Sequence, residues 1–308
     1  PNVKHVVYDS ISSSETLDAF ESVFGLRAYA DYDFSKAETI VSIDADFLGD
    51  WQGGGYEGGY TKGRIPKGEK GKSSMSHHIQ FESNMTLTGA NADHRIPCKQ
   101  NILKKIAVEM YSQITGTKLT VLPGLNDLDD RIKTKISETI KRLKKSGNKA
   151  VVVSGLQNVE IQKMILKINQ FLGSSSMNIE RPRLIQKGKN AHIKDVIDGI
   201  MNDSVHGIIT FGVDPGYTLP NGNEFVKSLK KLDLSVVFSL KENETSIGAE
   251  YVAAIPHYLE SWGDYEFKLG HYSLAQPTIR PLFDTRQFQD VLLKWTGKES
   301  NYYKEIKK

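Results

Sequence analysis

The sequence predicts an α/β fold made of two related units, each with a mostly parallel sheet. Short apolar segments alternate with helical segments of about ten or more residues, and connections of that length join parallel strands. An internal repeat indicates two units, which we assign to residues 1–124 and 125–308. The length of 308 residues agrees with this assignment, because one domain takes about 100–200 residues.

The first unit is expected to begin with a short apolar strand and a helix that Gly25 ends. A β-branched strand then precedes a glycine-rich stretch, residues 49–63, and an exposed basic loop, residues 65–73. The predicted segments in chain order are a strand at 5–8, a helix between Ser13 and Gly25, strands at 39–43 and 77–81, and a helix at 101–116.

The second unit is expected to begin with a long helix that Asn126 caps. Its acidic start and basic end complement the helix dipole, and we prefer this interpretation of the basic run to a nucleic-acid patch. Residues 173–190 are polar and irregular, which is typical of a long surface loop. The other predicted segments are strands at 150–153, 207–211, 234–240 and 249–256, and helices at 158–172, 192–203, 221–233 and 286–295.

The internal repeat links a strand end to a later acidic residue. In both units an apolar strand ends in an aspartate-bearing loop, at residues 44–50 and 211–216. Further along, a small residue and an acid, Ala92-Asp93 and Ala249-Glu250, precede an Ile-Pro pair. Open α/β sheets bind ligands at the carboxyl ends of their strands, so these two loops are where a nucleotide would lie. A plain strand-to-helix turn at residues 211–216 is the alternative.

The composition excludes several classes of protein. The single cysteine, Cys98, leaves no internal disulfide framework, no cysteine-ligated zinc site and no iron–sulfur cluster held by this chain alone. No apolar run reaches the roughly 18–20 residues that span a bilayer. The net charge of +3 is too small to indicate nucleic-acid binding. The chain begins at Pro1 without an initiator methionine, so we expect either that processing removed its start or that it is a fragment of a longer protein.

Two glycine-containing motifs match nucleotide-binding patterns only in part. Gly53–Gly58 has the spacing of a dinucleotide fingerprint, but residues 46–52 separate it from the strand, and acidic side chains surround it. A tightly turning loop is the better interpretation. Gly71-Lys72-Ser73 resembles the end of a P-loop, whose pattern requires a glycine where this chain has Pro66.

The histidine-containing segments indicate hydrogen bonding and ion pairing more than catalysis or metal binding. His77 and His78 are neighbours in a predicted strand, so they point to opposite faces and cannot chelate one ion together. His94 lies between Asp93 and Arg95, but the sequence contains no recognisable nucleophile turn. We expect an ion pair between Arg95 and either Asp93 or Glu82.

Several long segments carry a family resemblance, and together they cover nearly the whole chain. They are residues 32–49 (YDFSKAETIVSIDADFLG), 75–97 (MSHHIQFESNMTLTGANADHRIP), 151–162 (VVVSGLQNVEIQ), 256–264 and 276–286. These segments resemble the molybdopterin-oxidoreductase-like domain in the B subunit of bacterial alternative complex III, a respiratory quinol oxidoreductase. Residues 208–215 and 250–263 are more distantly similar to molybdopterin enzymes such as formate dehydrogenases and nitrate reductases.

The resemblance implies two Rossmann-like units and a cofactor cleft. In the enzymes, two strand-end loops hold the two guanosine ends of a bis-molybdopterin guanine dinucleotide. The resemblance places one guanosine site near Asp44, Asp46 and Trp51, and the other near Gly212, Asp214 and Pro215, with His257, Glu260 and Trp262 closing the cleft.

Departures from the enzyme pattern imply a cleft without cofactor. The enzymes often have Gly-x-Asn-Pro where this chain has residues 43–46 and 212–215, and an acid in place of the amide disfavours a phosphate-bearing cofactor. The family's B subunit is thought to have lost the pterin and to serve as a scaffold. Its iron–sulfur clusters lie in a later ferredoxin-like region, and the resemblance implies for the parent a twin-arginine signal and a location on the periplasmic side of the bacterial inner membrane.

The sequence analysis therefore predicts a scaffold that supports electron transfer in a respiratory complex. The isolated domain is expected to hold no pterin and no metal and to have no catalytic residue. Its expected partners are other subunits of a membrane-bound complex, with no nucleic acid and no direct membrane insertion. The first alternative is a genuine oxidoreductase fragment that binds molybdopterin guanine dinucleotide. The second is a nucleotide-binding enzyme with a dinucleotide on Gly53–Gly58.

Overall fold

The computed structural model describes residues 2–66, 68, 74–117 and 128–308. Its contacts divide the chain into two compact units. The continuous unit comprises Ser13–Gln186, and the discontinuous unit comprises residues 2–12 and Lys187–Lys308. The predicted boundary after residue 124 lies outside the described residues, as do the predicted cap Asn126 and the P-loop-like residues 71–73.

The continuous unit contains six strands and six helices among its described residues. They are α1 (Ser14–Phe24), β1 (Tyr29–Tyr32), β2 (Thr39–Ile43), α2 (Glu57–Arg64), β3 (His77–Glu82), α3 (Leu87–Ala90), β4 (His94–Pro97), α4 (Gln100–Thr115), α5 (Asp130–Ser146), β5 (Ala150–Ser154), α6 (Val159–Leu172) and β6 (Met177–Arg183).

A parallel sheet organises the core of the continuous unit. Its strand order is β4-β3-β2-β5, and every pairing is parallel. Alternate side chains enter two apolar clusters, with Val41 and Ile43 in one and Ile40 in the other. Helices α4 and α5 contribute to the first cluster and α1 to the second, so the sheet is buried on both faces, as parallel sheets require.

The discontinuous unit contains five strands and five helices among its described residues. They are α7 (Asn190–Met201), β7 (Gly207–Phe211), α8 (Pro215–Thr218), α9 (Gly222–Leu229), β8 (Leu234–Ser239), β9 (Tyr251–Ala254), β10 (Gly263–Lys268), β11 (His271–Ala275), α10 (Phe288–Trp295) and α11 (Tyr302–Ile306).

A second parallel sheet, with strand order β7-β8-β9, lies in the discontinuous unit. Its apolar cluster is small and centres on Ile200, Phe225 and Leu229. Strands β10 and β11 form an antiparallel hairpin. The α/β class and the parallel sheets predicted from the sequence are thus confirmed, and the Rossmann-like description of the two units stays a prediction.

Two local expectations were wrong, and a third was right only in part. Residues 5–8 form no strand; instead the Tyr8 hydroxyl donates a hydrogen bond to Thr218 Oγ1 over 2.7 Å. The supposed loop at 173–190 contains β6, which pairs antiparallel with β1. Four of the seven residues of β6 are exposed, which explains its polar sequence. The glycine-rich stretch turns through Gly53, Gly54 and Gly55, all at positive φ, and then enters helix α2.

Among the described residues, no helix combines the length and the apolar character needed to cross a membrane.

Candidate functional site

The loop after β2 turns sharply at Asp44. This residue has a φ of 60°, in the left-handed region that non-glycine residues seldom adopt. Its N–H donates to the carbonyl oxygen of Phe81 over 2.8 Å, which extends the pairing between β2 and β3 by one residue. The chain therefore leaves the sheet at its carboxyl edge, where parallel sheets commonly bind ligands.

Asp46 is held by a threonine from a later part of the chain. Its Oδ1 accepts hydrogen bonds from the Thr88 N–H (2.9 Å) and from the Thr88 hydroxyl (2.7 Å). The same hydroxyl oxygen accepts from the Leu48 N–H over 2.9 Å. Thr88 is fully buried, whereas Asp46 and Leu48 are half-buried.

The other two predicted residues of this unit lie at the same sheet edge. The Asp44 carboxylate accepts from the Gln100 side-chain amide over 3.1 Å and from the Ser83 N–H over 3.4 Å. The Trp51 indole N–H donates to the carbonyl oxygen of Ser154, the last residue of β5, over 3.2 Å. At Gly155 a Cβ would lie 2.0 Å from the Asp44 carbonyl oxygen, so only glycine allows this close approach.

The loop after β7 contains the predicted residues of the second unit. Gly212 has a φ of 65°, and its N–H donates to the carbonyl oxygen of Phe238 over 3.1 Å. Asp214 Oδ1 accepts from the Thr245 N–H (3.0 Å) and hydroxyl (2.6 Å). The Thr245 hydroxyl oxygen accepts from the Gly216 N–H over 2.8 Å. Pro215 is buried as the first residue of α8.

Partial burial would raise the pKa of the Asp214 carboxyl, but the hydrogen bonds from Thr245 outweigh it and hold the pKa below its usual range. Asp214 is therefore ionised near neutral pH, and the loop carries a full negative charge.

The two loops have the same hydrogen-bonding pattern. In each loop a residue at positive φ donates to the adjacent strand, and the aspartate two positions later binds a threonine through one oxygen. In each, the N–H two residues after that aspartate binds the threonine hydroxyl. The strand registers correspond as well, because Ile43 pairs with Phe81 as Phe211 pairs with Phe238.

The remaining predicted residues, His257, Glu260 and Trp262, contact their own segment and later parts of the discontinuous unit. His257 and Glu260 form a capping box around a short 3-10 helix, in which Glu260 Oε2 accepts from the His257 N–H over 2.9 Å. The other Glu260 oxygen accepts from the Leu282 N–H over 3.1 Å. The Trp262 ring lies 4.4 Å from the Tyr303 ring, measured between centroids. These contacts give the three residues a structural role in the discontinuous unit.

Sequence reasoning missed the two threonines, although a signal for them exists. Thr88 stands five positions before Asp93, and Thr245 stands five positions before Glu250, with an alanine preceding each acid. Aligning the repeat on the Ala-acid pairs would have placed the threonines at equivalent positions. The Ile-Pro pairs are a poorer guide, because they do not occupy equivalent positions in β4 and β9.

The polar residues of β3 and β4 form ion pairs and a buried hydrogen-bond chain. Arg95 pairs with the fully buried Glu82, as one of the two expected alternatives. Asp93 instead pairs with Arg64 through two bonds of 2.6 and 2.8 Å. Burial would raise the pKa of Asp93, but the hydrogen bonds from Arg64 lower it to about 2.

His78 is fully buried, between the Tyr60 hydroxyl at 3.2 Å and Gln80 Oε1 at 3.3 Å. Burial lowers the pKa of His78 to about 4, so the imidazole is neutral at pH 7. The rings of His77 and His94 lie 5.0 Å apart. Within residues 2–66, 68, 74–117 and 128–308, no cluster of three or more histidine, cysteine or acidic side chains is arranged to hold a metal ion.

Comparison with known proteins gives a distant sequence relative and two solved structures with a similar fold. No family model matches the sequence. A stretch of 95 residues, 30% of this chain and 14% of the relative, is 33% identical to the menaquinone reductase, molybdopterin-binding-like subunit of Nitratidesulfovibrio vulgaris. The chain thus spans only a small part of that relative.

The fold is similar to acetylene hydratase from Pelobacter acetylenicus, with a TM-score of 0.65, 11% identity, and coverage of 94% of this chain and 51% of that one. It is also similar to a chain of the formyltransferase/hydrolase complex from Methylorubrum extorquens, with a TM-score of 0.52, 11% identity, and coverage of 88% and 78%. The similarity to these solved structures shows the fold alone, and the sequence relative matches less than a third of this chain.

Proposed function

We propose that this chain is a molybdopterin-oxidoreductase-like domain in a subunit of a respiratory quinol oxidoreductase of the alternative complex III type, where it acts as a scaffold without bound pterin. The observation that carries the proposal is that hydrogen-bond donors of both strand-end loops bind other groups of the same loop or its threonine, so they are not free to bind a ligand. At each loop the threonine N–H and hydroxyl bind an aspartate, and a loop N–H binds the threonine.

The residues at these loops do not fit the diphosphate of a pterin dinucleotide. Diphosphate sites in α/β proteins present free backbone N–H groups and avoid negative charge. Here the N–H groups of Thr88 and Thr245 are already engaged, and Asp46 and Asp214 place carboxylates at the strand ends. We therefore derive no reaction step through such a cofactor.

The proposed partners are other subunits of a membrane-bound respiratory complex on the periplasmic side of the bacterial inner membrane. The relative's description as a subunit of a menaquinone reductase supports this proposal. Iron–sulfur clusters would lie elsewhere in the parent subunit, since this chain has only the buried Cys98.

A genuine cofactor-binding fragment is the second candidate. The matching geometry of the two loops favours it, because a cofactor with two guanosine ends calls for two similar sites. Under this candidate Asp46 and Asp214 would accept hydrogen bonds from guanine and would not lie against phosphate.

Calorimetric titration with guanosine diphosphate, with elemental analysis of the purified chain, distinguishes the two candidates. The scaffold proposal expects no saturable heat and no stoichiometric molybdenum. Saturable binding near one or two equivalents that Asp214→Ala weakens, while Asp233→Ala leaves it unchanged, would establish the second candidate. Asp233 is a suitable control because its side chain is 82% exposed.

A further inference from the structure

A cavity of about 910 Å³ lies at the other edge of the parallel sheet in the continuous unit. Its wall includes Thr39, His77 and His94, which are the first residues of β2, β3 and β4. The Asp44 and Asp46 loop follows the carboxyl end of β2, so roughly 13 Å of strand separates the two places. The cavity is therefore distinct from the site described above.

The described lining of the cavity is strongly basic. Six lysine or arginine side chains line it against two carboxylates, and both carboxylates already belong to ion pairs. Glu38 pairs with Lys149 over 2.6 Å, and Glu138 pairs with Lys135 over 2.8 Å. Lys36, a third lining cation, pairs with Asp33 outside the lining set over 3.5 Å.

Three lining cations, Lys141, Arg142 and Lys145, have no ion-pair partner among the described residues. All three lie on α5, and Lys141 and Lys145 are four residues apart on one face, where like charges repel each other. The helix dipole favours cations near the last turn. The dipole does not explain why these three cations line the cavity, because Lys144 lies in the last turn as well and does not line it.

A buried hydroxyl in the same wall also has no partner. Ser76 is 4% exposed, and its Oγ forms no hydrogen bond with any residue that the structure describes. A buried hydroxyl without a partner is uncommon in folded proteins, and three other described residues, Ser174, Ser176 and Thr210, have one as well. The Ser146 hydroxyl at the end of α5 bonds the Thr39 hydroxyl over 2.7 Å, which holds the helix end against the start of β2.

We propose that this cavity binds a small soluble polyanion that carries two or more phosphate groups. Three unpaired cations on one helix match the charge of a di- or triphosphate, and the guanidinium fork of Arg142 suits phosphate oxygens. The volume lies within the range of about 300–1,000 Å³ that is typical of small-molecule sites. A concave wall also favours a compact ligand over a flat membrane surface.

The test is isothermal titration of the full chain with tripolyphosphate, with inorganic phosphate for comparison. The double variant Lys141→Gln, Lys145→Gln removes two cations from the wall, and Lys144→Gln removes one cation from the same helix turn outside it. We expect saturable binding of tripolyphosphate that is stronger than that of phosphate. The double variant should raise the Kd at least about tenfold, while Lys144→Gln changes it less than about twofold.

Three outcomes would overturn the proposal. One is the absence of saturable tripolyphosphate binding to a chain whose circular dichroism and unfolding transition are intact. Another is an equal loss of affinity in Lys144→Gln, which would indicate general attraction to a basic helix. The third is binding to phosphatidylglycerol vesicles without binding to tripolyphosphate, which would indicate a membrane surface.

Discussion

The two strand-end loops are nearly identical in hydrogen bonding, yet the strands that precede them differ greatly in burial. In the continuous unit the residue that ends β2, Ile43, is fully buried. Its equivalent in β7, Phe211, is 43% exposed and stacks on Phe288 with ring centroids 4.4 Å apart. The loop geometry therefore does not depend on the depth of the core beneath it. Local hydrogen bonds and the parallel register are sufficient to define it.

The strands next to the two loops, β3 and β8, differ in the side chains that they place at equivalent positions. His78 and Ser235 occupy equivalent register positions, opposite Ile40 and Ile208. The first is a buried member of a polar chain along β3, and the second has a hydroxyl that accepts from the Glu250 N–H over 2.8 Å. The two units thus have different side chains with different partners at this position, although both have the aspartate–threonine contact.

The largest expected effect tests the difference in core depth. Ile43→Ala should lower the free energy of unfolding of the continuous unit by about 2–5 kcal/mol, because it leaves a cavity between sheet and helices. Phe211→Ala should cost the discontinuous unit at most about half as much, since its side chain is already half exposed. Hydrogen exchange of the β2 and β7 amides during urea unfolding measures both. Equal losses would contradict the difference in burial.

The next effect concerns the pH dependence of the continuous unit. The folded-state pKa of His78 is about 4, below the value near 6.5 of an unfolded histidine. As pH falls from about 6.5 to 4, the unfolded chain binds a proton and the folded chain does not. The unit should therefore lose on the order of 3 kcal/mol over that range.

His78→Gln should remove most of this pH dependence, because glutamine keeps a polar side chain beside Tyr60 and Gln80 without titrating. Urea midpoints between pH 7 and pH 4 give the measurement, and Ser235→Ala is the matched variant in the other unit. An unchanged acid response in His78→Gln would exclude His78 as the cause.

The smallest effect tests the similarity of the loops. Thr88→Val and Thr245→Val each remove a buried hydroxyl and leave an aspartate oxygen and a loop N–H with one fewer partner. Each should destabilise its own unit by about 1–3 kcal/mol, and the two losses should agree closely. Local hydrogen exchange at Leu48 and Gly216 reports the opening of each loop. If only one loop lost protection, the same hydrogen-bond pattern would contribute different amounts of stability in the two units.

Sequence reasoning located the parallel strands except β4 and missed the antiparallel strands. Strands β2, β5 and β8 are apolar runs rich in β-branched residues, because the parallel sheets bury them, and β7 has the same kind of sequence although three of its five residues are exposed. The pair β1 and β6 and the hairpin of β10 and β11 were not predicted. Much of β6, β10 and β11 is exposed, so their sequences have no apolar run that separates them from loops.

The candidate site was also predicted only in part, because its loop residues were found and the threonines that bind them were not. The loops that contain Asp44, Asp46, Gly212 and Asp214 were found because they follow apolar strands, and the family resemblance singled out these residues within them. The threonines that bind two of them lie 42 and 31 residues further along the chain. No local pattern connects residues so far apart, and a non-glycine residue at positive φ, such as Asp44, leaves no composition signal either.

The order of strands and helices, the α/β class and the acidic strand ends follow from the amino-acid sequence, because hydrophobic periodicity and turn residues act over short distances along the chain. Tertiary structure alone decided that Asp46 meets Thr88, that Asp214 meets Thr245, and that three cations of α5 line a cavity at the start of β2. Such contacts depend on strand register and helix placement, which the packing of the whole unit determines.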